Sequence, residues 1–219
     1  MKALIFDLGA VVFRWRPAAV LAQALPEHAP DAARAQALAR LFFQGADSPW
    51  GRFDRGLLTL PELLREQAAH TGLTQDEVLN VVEAVPAELQ PLPDTVAWIR
   101  QLQADGHPLF YLSNMPAPYA DHLEAVQPVL RRFRGGIFSA RVELGKPDPA
   151  IFALALQRFG LLASEAVFID DHPANVEAAQ ACGLATVQFV DAAQAREAAQ
   201  PLLVKALKKG ASRPRHKTG

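Results

Sequence analysis

Acidic and polar side chains follow three apolar runs of this sequence, and together they could bind a metal ion and a phosphate. They are Asp7 after residues 3–6, Ser113-Asn114 after residues 108–112, and Asp170-Asp171 after residues 166–169. Converging carboxylates supply the oxygen ligands that Mg²⁺ prefers. A hydroxyl, an amide and an ammonium group such as that of Lys146 can orient and neutralise a phosphate. A metal would also mask the phosphate's charge, so that a carboxylate could attack it. Each feature is common alone, but their ordered recurrence is a strong signal.

The apolar runs that precede these residues have no polar face. Such runs fit strands buried on both sides in a parallel sheet, although a buried helical turn has the same pattern. From residue 91 onward, strand patterns alternate with helix patterns. The predicted strands are 108–112, 137–138, 166–169 and 185–189, and the predicted helices are 94–105, 149–159 and 175–182. This alternation predicts an α/β fold with a Rossmann-like, doubly wound parallel sheet. Ligands bind such sheets at the carboxyl ends of the strands, where Asp7 would lie.

Residues 17–87 contain no strand pattern and are predicted to form an all-helical insertion. Residues 32–43 are rich in alanine and leucine and predict one helix, and residues 47–56 predict a loop from their Ser, Pro and Gly content. Thr59 and Thr74 each precede a glutamate by three residues, which is typical of a helix start. The predicted organisation is a core of residues 1–16 and 88–207, a cap of residues 17–87 and a basic tail of residues 208–219.

Composition indicates an ordinary globular protein. The chain has 219 residues, of which 50% are hydrophobic and 21% charged, and its net charge is −1. That balance gives no overall attraction to nucleic acid or membrane, and a solvated state is the preferred interpretation of the basic tail. Cys182 is the only cysteine, and no apolar run reaches the ~20 residues of a membrane span. The expectation is a soluble cytoplasmic protein, either a monomer or a homodimer, without membrane or nucleic-acid partners.

Four segments of the sequence resemble the motifs of the haloacid dehalogenase-like hydrolases. These segments, in order, are FDLGAVVF at 6–13, LSN at 112–114, GKPDPAIF at 145–152 and FIDDHPANVEAA at 168–179. The insertion after the first motif resembles the helical cap of the family's first subclass. The DLG opening and the segment at 53–56 are similar to the branch that contains glucose-1-phosphate phosphatase and the phosphatase half of soluble epoxide hydrolase. The resemblance covers residues 1–200.

The resemblance implies a role for each matching residue. Asp7 would be the nucleophile and would form an aspartyl phosphate that water hydrolyses. Mg²⁺ would be bound by Asp7, the Gly9 carbonyl and Asp171, with Asp170 as a further or water-mediated ligand. The phosphoryl oxygens would be bound by Ser113, Asn114 and Lys146, and the last of these would also offset the charge of Asp7. For Asn175, a role in the site and a simple helix-start role stay open.

Gly9 departs from the pattern of most phosphatases in the family. They have there a second aspartate, which protonates the leaving oxygen and activates water, and such general acid–base help is worth about 10²–10⁴-fold. Its absence predicts a slower enzyme, a good leaving group or a substitute residue, and His172 is one candidate for that substitute. The same glycine argues against a phosphomutase, which has to activate an incoming sugar hydroxyl.

Three functions remain open at this point. A Mg²⁺-dependent phosphomonoesterase that acts on a small phosphorylated metabolite, with a sugar phosphate as one candidate, fits the motifs best. A 2-haloacid dehalogenase would use the same Asp7 without a metal, with Arg14 or Arg16 on the substrate carboxylate, but that branch usually has Tyr-Gly-Thr after the nucleophile. A catalytically quiet binding protein is supported by Gly9 alone.

Substrate choice is expected in the cap, around the aromatic and arginine cluster of Trp50, Arg52, Phe53 and Arg55, although these side chains could equally pack the cap's own core.

Overall fold

The structure is a computed structural model that describes residues 1–204, so the predicted basic tail lies outside the described residues. Its centre is a five-stranded, fully parallel sheet with the strand order β3-β2-β1-β4-β5. The strands are β1 (Ala3–Phe6), β2 (Leu109–Ser113), β3 (Gly135–Phe138), β4 (Ala166–Asp170) and β5 (Ala185–Gln188). The predicted α/β fold with a parallel, Rossmann-like sheet is confirmed.

Strand register brings the predicted site residues to one edge of the sheet. Phe6, the last residue of β1, lies opposite Ile169 of β4, so the following residues Asp7 and Asp170 are level with each other. The Asp7 N–H donates to the Ile169 carbonyl over 2.8 Å, which continues the ladder by one residue. On the other side of β1, Phe6 pairs with Tyr111, two residues before Ser113.

Helices cover both faces of the sheet and explain why the strand sequences are apolar throughout. They are α6 (Pro93–Ala104), α7 (Ala117–Val126), α8 (Pro149–Phe159), α9 (Pro173–Ala181) and α10 (Ala192–Val204). Leu4 and Phe6 of β1 point into a core shared with α6, α7 and α10. Ala3 and Ile5 point the opposite way, into a core shared with α8 and α9. Alternate residues of one strand therefore serve two cores, as a doubly wound sheet requires.

Five helices lie between β1 and the rest of the sheet, and residues 17–87 contain no strand. They are α1 (Pro17–Ala24), α2 (Ala32–Phe43), α3 (Pro49–Asp54), α4 (Leu60–Thr71) and α5 (Gln75–Glu88). The Thr74 hydroxyl accepts the Glu77 N–H over 3.2 Å, and the Glu77 carboxylate accepts the Thr74 N–H over 2.8 Å, as the sequence predicts for the start of α5. We call residues 17–87 the cap.

The prediction of a loop over residues 47–56 was wrong, because α3 lies within it. Ser48 and Pro49 are turn formers, but here they begin a helix. The Ser48 hydroxyl accepts the Gly51 N–H over 3.0 Å, and Pro49 takes the first helical position, where no backbone donor is needed. This short helix carries Trp50, Phe53 and Asp54 toward the sheet.

Two chain connections and several direct contacts, one of them between backbone atoms, attach the cap to the rest of the fold. The two connections run side by side. The Arg14 N–H donates to the Gln90 carbonyl, and the Leu92 N–H donates to the Val12 carbonyl, both over 2.8 Å. At the end of α3, Gly56 has a φ of +72°, and a Cβ there would lie 2.5 Å from the Ala140 carbonyl oxygen. Only glycine permits that approach, so this turn rests directly on the loop after β3. None of the described helices is both long and apolar enough to cross a membrane.

Candidate active site

A buried ion-pair cluster lies at the carboxyl edge of the sheet. The Lys146 ammonium is 2.7 Å from Asp7 Oδ1 and 2.6 Å from Asp170 Oδ2, and the lysine side chain is 1% exposed. Asp7 and Asp170 end neighbouring strands, whereas Lys146 comes from the loop before α8. Thus three residues that are far apart in sequence share one set of hydrogen bonds, and each was predicted as a site residue.

Asn114 fixes the loop that carries the lysine. Its side-chain amide donates to the Lys146 carbonyl, and its side-chain oxygen accepts the Lys146 N–H, both over 2.8 Å. This reciprocal pair ties the residue after β2 to the lysine backbone. Ser113, at the end of β2, is buried, and the neighbouring Met115 N–H donates to the Ser139 hydroxyl over 2.8 Å. The loop after β2 is therefore held on both sides.

Asp170 is held by several donors in addition to the lysine. The His172 N–H donates to its Oδ1 over 2.9 Å, and the Asn175 amide lies 3.0 and 3.2 Å from its two oxygens. Asn175 therefore does more than begin a helix, because it orients a carboxylate of the cluster. The sequence feature that indicates this contact is the spacing of five residues between Asp170 and Asn175, because it places Asn175 in the first turn of α9, next to the end of β4.

The electrostatics of the cluster leave excess negative charge. Asp7, Asp170 and Asp171 each offer a carboxylate oxygen within 4.8 Å of the others, against one ammonium. Burial, together with the nearby Asp170 and Asp171 carboxylates, raises the pKa of Asp7 to about 7, although Lys146 opposes the shift. Burial and the charge of Asp170 also raise the pKa of Asp171.

The donor set fits a magnesium ion. Three hard oxygen ligands surround a point where negative charge is undercompensated, and a divalent cation would relieve that repulsion. Asp170 already accepts hydrogen bonds at both oxygens, so Asp7 and Asp171 are the carboxylates that are more available to an ion.

A cavity of about 890 Å³ opens above the cluster and extends under the cap. Its wall includes Asp7, Gly9, Asn114, Lys146 and Asp171 at the sheet edge. A Cβ built on Gly9 would meet nothing within 4 Å, so the position where the sequence lacks a second aspartate is open space.

Two of the four predicted specificity residues line this cavity, namely Trp50 and Arg55. Trp50 stacks on Tyr119 with ring centroids 6.3 Å apart, while the Arg55 guanidinium donates to the Ala46 carbonyl over 2.9 Å. Phe53 is buried against Trp50 in the aromatic core of the cap, and Arg52 bonds Glu66 over 2.6 Å. The structure therefore does not bring all four residues to the cavity.

Sequence reasoning missed Asp54, which also lies on the cavity wall. Burial raises the pKa of its carboxyl group to about 8. Burial also raises the pKa of the neighbouring Tyr119 hydroxyl, and the charge of Asp54 adds to that second shift. The prediction of a loop at 47–56 concealed this residue, because only the helix α3 directs position 54 inward.

The four motifs thus occupy one sheet edge in the order that the resemblance predicts. The sequence profile of the haloacid dehalogenase-like hydrolases matches residues 1–183. The chain belongs to this family. It is a haloacid dehalogenase-like hydrolase, and the narrower branch with glucose-1-phosphate phosphatase stays a prediction.

Individual relatives of this hydrolase include phosphatases. The sesquiterpene phosphatase astK of Aspergillus oryzae is 26% identical over 190 residues, which cover 87% of this chain and 90% of the relative. A phosphoglycolate phosphatase of Pectobacterium atrosepticum is 30% identical, with 85% and 79% covered. Among solved structures, one match is a family enzyme of Bacteroides thetaiotaomicron in complex with magnesium and inorganic phosphate. It is 20% identical to this chain and superposes with a TM-score of 0.66, and the match covers 85% of this chain and 93% of that enzyme. This last likeness shows the shared fold.

Proposed function

We propose that this hydrolase is a Mg²⁺-dependent phosphomonoesterase that cleaves a small phosphorylated metabolite through an aspartyl phosphate on Asp7. One observation carries the proposal. The Lys146 ammonium bridges Asp7 and Asp170 at 2.7 and 2.6 Å, beside a third carboxylate and a cavity large enough for a metabolite. The phosphatase names of two relatives agree with this function.

Asp7 acts as the nucleophile in this proposal. Its Oδ1 is held by Lys146, which fixes the direction of the carboxylate and keeps part of its charge compensated. Attack of a carboxylate oxygen on phosphorus breaks the bond to the leaving oxygen and leaves the phosphoryl group on Asp7. Water then attacks that phosphorus, releases phosphate and restores the carboxylate.

Lys146, Asn114 and Ser113 bind the phosphoryl oxygens. An ammonium and an amide at the sheet edge meet the requirement for charged and neutral donors around a phosphate. Asn114 also holds the lysine backbone through two hydrogen bonds, so its removal would loosen both groups together.

The metal would be bound by Asp7, the Gly9 carbonyl and Asp171, with Asp170 acting through Lys146 and Asn175. Bound Mg²⁺ would neutralise phosphoryl charge and so lower the repulsion between the substrate and Asp7. Asp170 suits the indirect role because both of its oxygens already accept protein donors.

The dehalogenase alternative has less support at the site. That activity needs a cation for the substrate carboxylate, and Arg14 and Arg16 were its candidates. Both instead bond Glu88, with Nε to Oε1 distances of 3.0 and 2.8 Å. The buried carboxylate cluster also favours a metal, which that reaction does not require.

The wall of the cavity favours a leaving group with an apolar or ring-shaped part. Trp15, Phe43 and Trp50 lie on it in edge contact with one another, at centroid distances of 5.1 and 4.7 Å. Flat aromatic faces and edges stack on rings and pack against hydrocarbon. A sugar phosphate, as the sequence predicted, and a phosphate with an apolar tail both fit this description.

The test is release of p-nitrophenol from p-nitrophenyl phosphate by the purified, folded protein. We expect turnover that requires both Mg²⁺ and Asp7, and therefore disappears with EDTA or in Asp7→Asn. Turnover that survives either change would contradict the proposal, and so would its absence from the wild-type protein. In the latter case, halide release from 2-chloropropionate would point to the dehalogenase.

A further inference from the structure

We propose that Asp54, a residue of the cap, is the general acid and base that replaces the carboxylate missing at Gly9. This inference rests on the proposed phosphatase function. It names the group that would protonate the leaving oxygen and then activate water, a task for which Gly9 supplies no side chain.

The site has room for a proton donor from the cap. A Cβ on Gly9 would have no neighbour within 4 Å, so the first motif neither supplies a side chain here nor blocks one from elsewhere. Asp7, Gly9 and Asp54 line the same cavity. In an in-line displacement, the proton donor has to reach the side from which the leaving group departs, and a residue on the wall of this cavity can approach a bound substrate.

Asp54 is anchored at the contact between cap and sheet rather than at the outer end of the cap. The Ser139 hydroxyl donates to its backbone carbonyl and accepts the Met115 N–H, which directly follows Asn114. Two hydrogen bonds therefore connect Asp54 to the phosphate-binding loop. The close contact of Gly56 with Ala140 lies two residues further on. A residue fixed on both sides in this way has the pre-organisation that proton transfer requires.

The Asp54 carboxyl group is also free to exchange a proton with a substrate. Within residues 1–204, no donor is hydrogen bonded to it and no basic side chain forms an ion pair with it. Burial then favours the neutral, proton-carrying form and raises its pKa to about 8. A catalytic acid functions best when its pKa lies near the working pH.

Other titratable groups on the wall fit the role less well. Glu143, Asp148 and His172 are exposed, and the Asp148 carboxylate is committed to the Ala150 N–H at 2.8 Å. Asp54 is half-buried. The Tyr119 hydroxyl senses its charge but donates to the Val82 carbonyl over 2.9 Å.

The proposed proton path balances over the two steps. As Asp7 attacks phosphorus, the proton on Asp54 passes to the leaving oxygen, and the product is an alcohol. The Asp54 carboxylate then takes a proton from the water that attacks the aspartyl phosphate. Phosphate leaves, Asp7 is again a carboxylate, and Asp54 is again protonated.

The test is the dependence of kcat/KM on leaving-group acidity, measured with a series of phenyl phosphates from p-nitrophenyl to p-methoxyphenyl. A nitrophenolate hardly needs a proton, whereas a methoxyphenolate does. We expect a shallow dependence for the wild type and a steep one for Asp54→Asn, with little change on the nitrophenyl ester and about 10²–10⁴-fold loss at the poor end. Asp54→Glu should keep the shallow dependence, because it retains the acid.

Asp76→Asn is the matched control, since it makes the same exchange at an exposed position of the cap away from the cavity. Equal loss on all esters in Asp54→Asn would overturn the inference and indicate a role in binding or folding. If Asp54→Asn and the wild type had the same kcat/KM on every ester, this result would also overturn the inference and point to another acid such as His172. Failure of the wild type on every ester would instead refute the phosphatase function itself, so the two failures are distinguishable.

Discussion

Replacing Lys146 with methionine should destabilise the protein strongly, because it removes the ammonium group that bridges two buried carboxylates. The Asp170 side chain is fully buried, that of Asp7 is 11% exposed, and both lie within 2.7 Å of the lysine nitrogen. Removing one partner of a buried ion pair costs about 3–5 kcal/mol, because the remaining charges stay desolvated without compensation. Methionine has a similar length and fills most of the space, so a cavity contributes little to this cost.

The measurement is urea unfolding followed by tryptophan fluorescence, with EDTA present so that no metal compensates the charge. Lys2→Met is the matched control, because Lys2 forms no ion pair within the described part of the chain. A double-mutant cycle with Asp170→Asn isolates the interaction itself. We expect the two substitutions together to cost less than the sum of their separate effects, with a coupling of roughly 1–3 kcal/mol.

Two results would refute this reasoning about the cluster. One is a loss of less than about 1 kcal/mol in Lys146→Met, which would mean that the carboxylates tolerate burial without the ammonium. The other is additivity within about 0.5 kcal/mol in the cycle, which would mean that the two residues act independently.

Further predictions concern the cap and its attachment. Glu88→Gln should lower the free energy of unfolding by about 1 kcal/mol, and less at high salt, because it removes the charge that pairs with the solvent-accessible Arg14 and Arg16 side chains. An effect that does not depend on salt would contradict this. Thr74→Ala should cost about 1 kcal/mol in chemical denaturation, whereas Thr74→Ser should retain the cap of α5. Asp54→Asn should become more stable relative to wild type as the pH rises from about 4 to 8. The folded state holds the Asp54 proton up to a pKa of about 8, whereas the unfolded chain releases it near 3.8, so the wild type loses this contribution to its stability across the interval and the variant has no such contribution to lose. A constant difference in melting temperature would contradict that sign.

The sheet and most of the candidate site could be predicted from the sequence because their signals are local. Each apolar run of β1, β2 and β4 ends in a polar residue, and parallel strands necessarily place those ends at one edge. The meeting of Asp7, Lys146 and Asp170 therefore followed from the order of the elements. The role of Asn175 was left open, because its contact with Asp170 depends on how the first turn of α9 is oriented. Sequence periodicity alone does not predict that orientation.

The cap was harder to predict, because each of its side chains could face either the substrate cavity or the cap's own core. Arg52 was expected near the substrate but bonds Glu66, and Phe53 joins the aromatic core. Both alternatives are compatible with one amphipathic pattern. Asp54 was hidden because Ser48 and Pro49 indicate a turn and a helix start equally well, and only tertiary contacts with the loop after β3 decide between them.

The claim that Asp7 attacks phosphorus is tested most directly by looking for the phosphoryl group on Asp7. Protein mixed with p-nitrophenyl phosphate and Mg²⁺ would be quenched in acid within one turnover and its intact mass recorded. We expect a fraction of the chains to carry one phosphoryl group, which hydroxylamine removes as expected of an acyl phosphate and which Asp7→Asn lacks. Steady turnover without any phosphorylated chain, or a phosphoryl group that persists in Asp7→Asn, would contradict the mechanism.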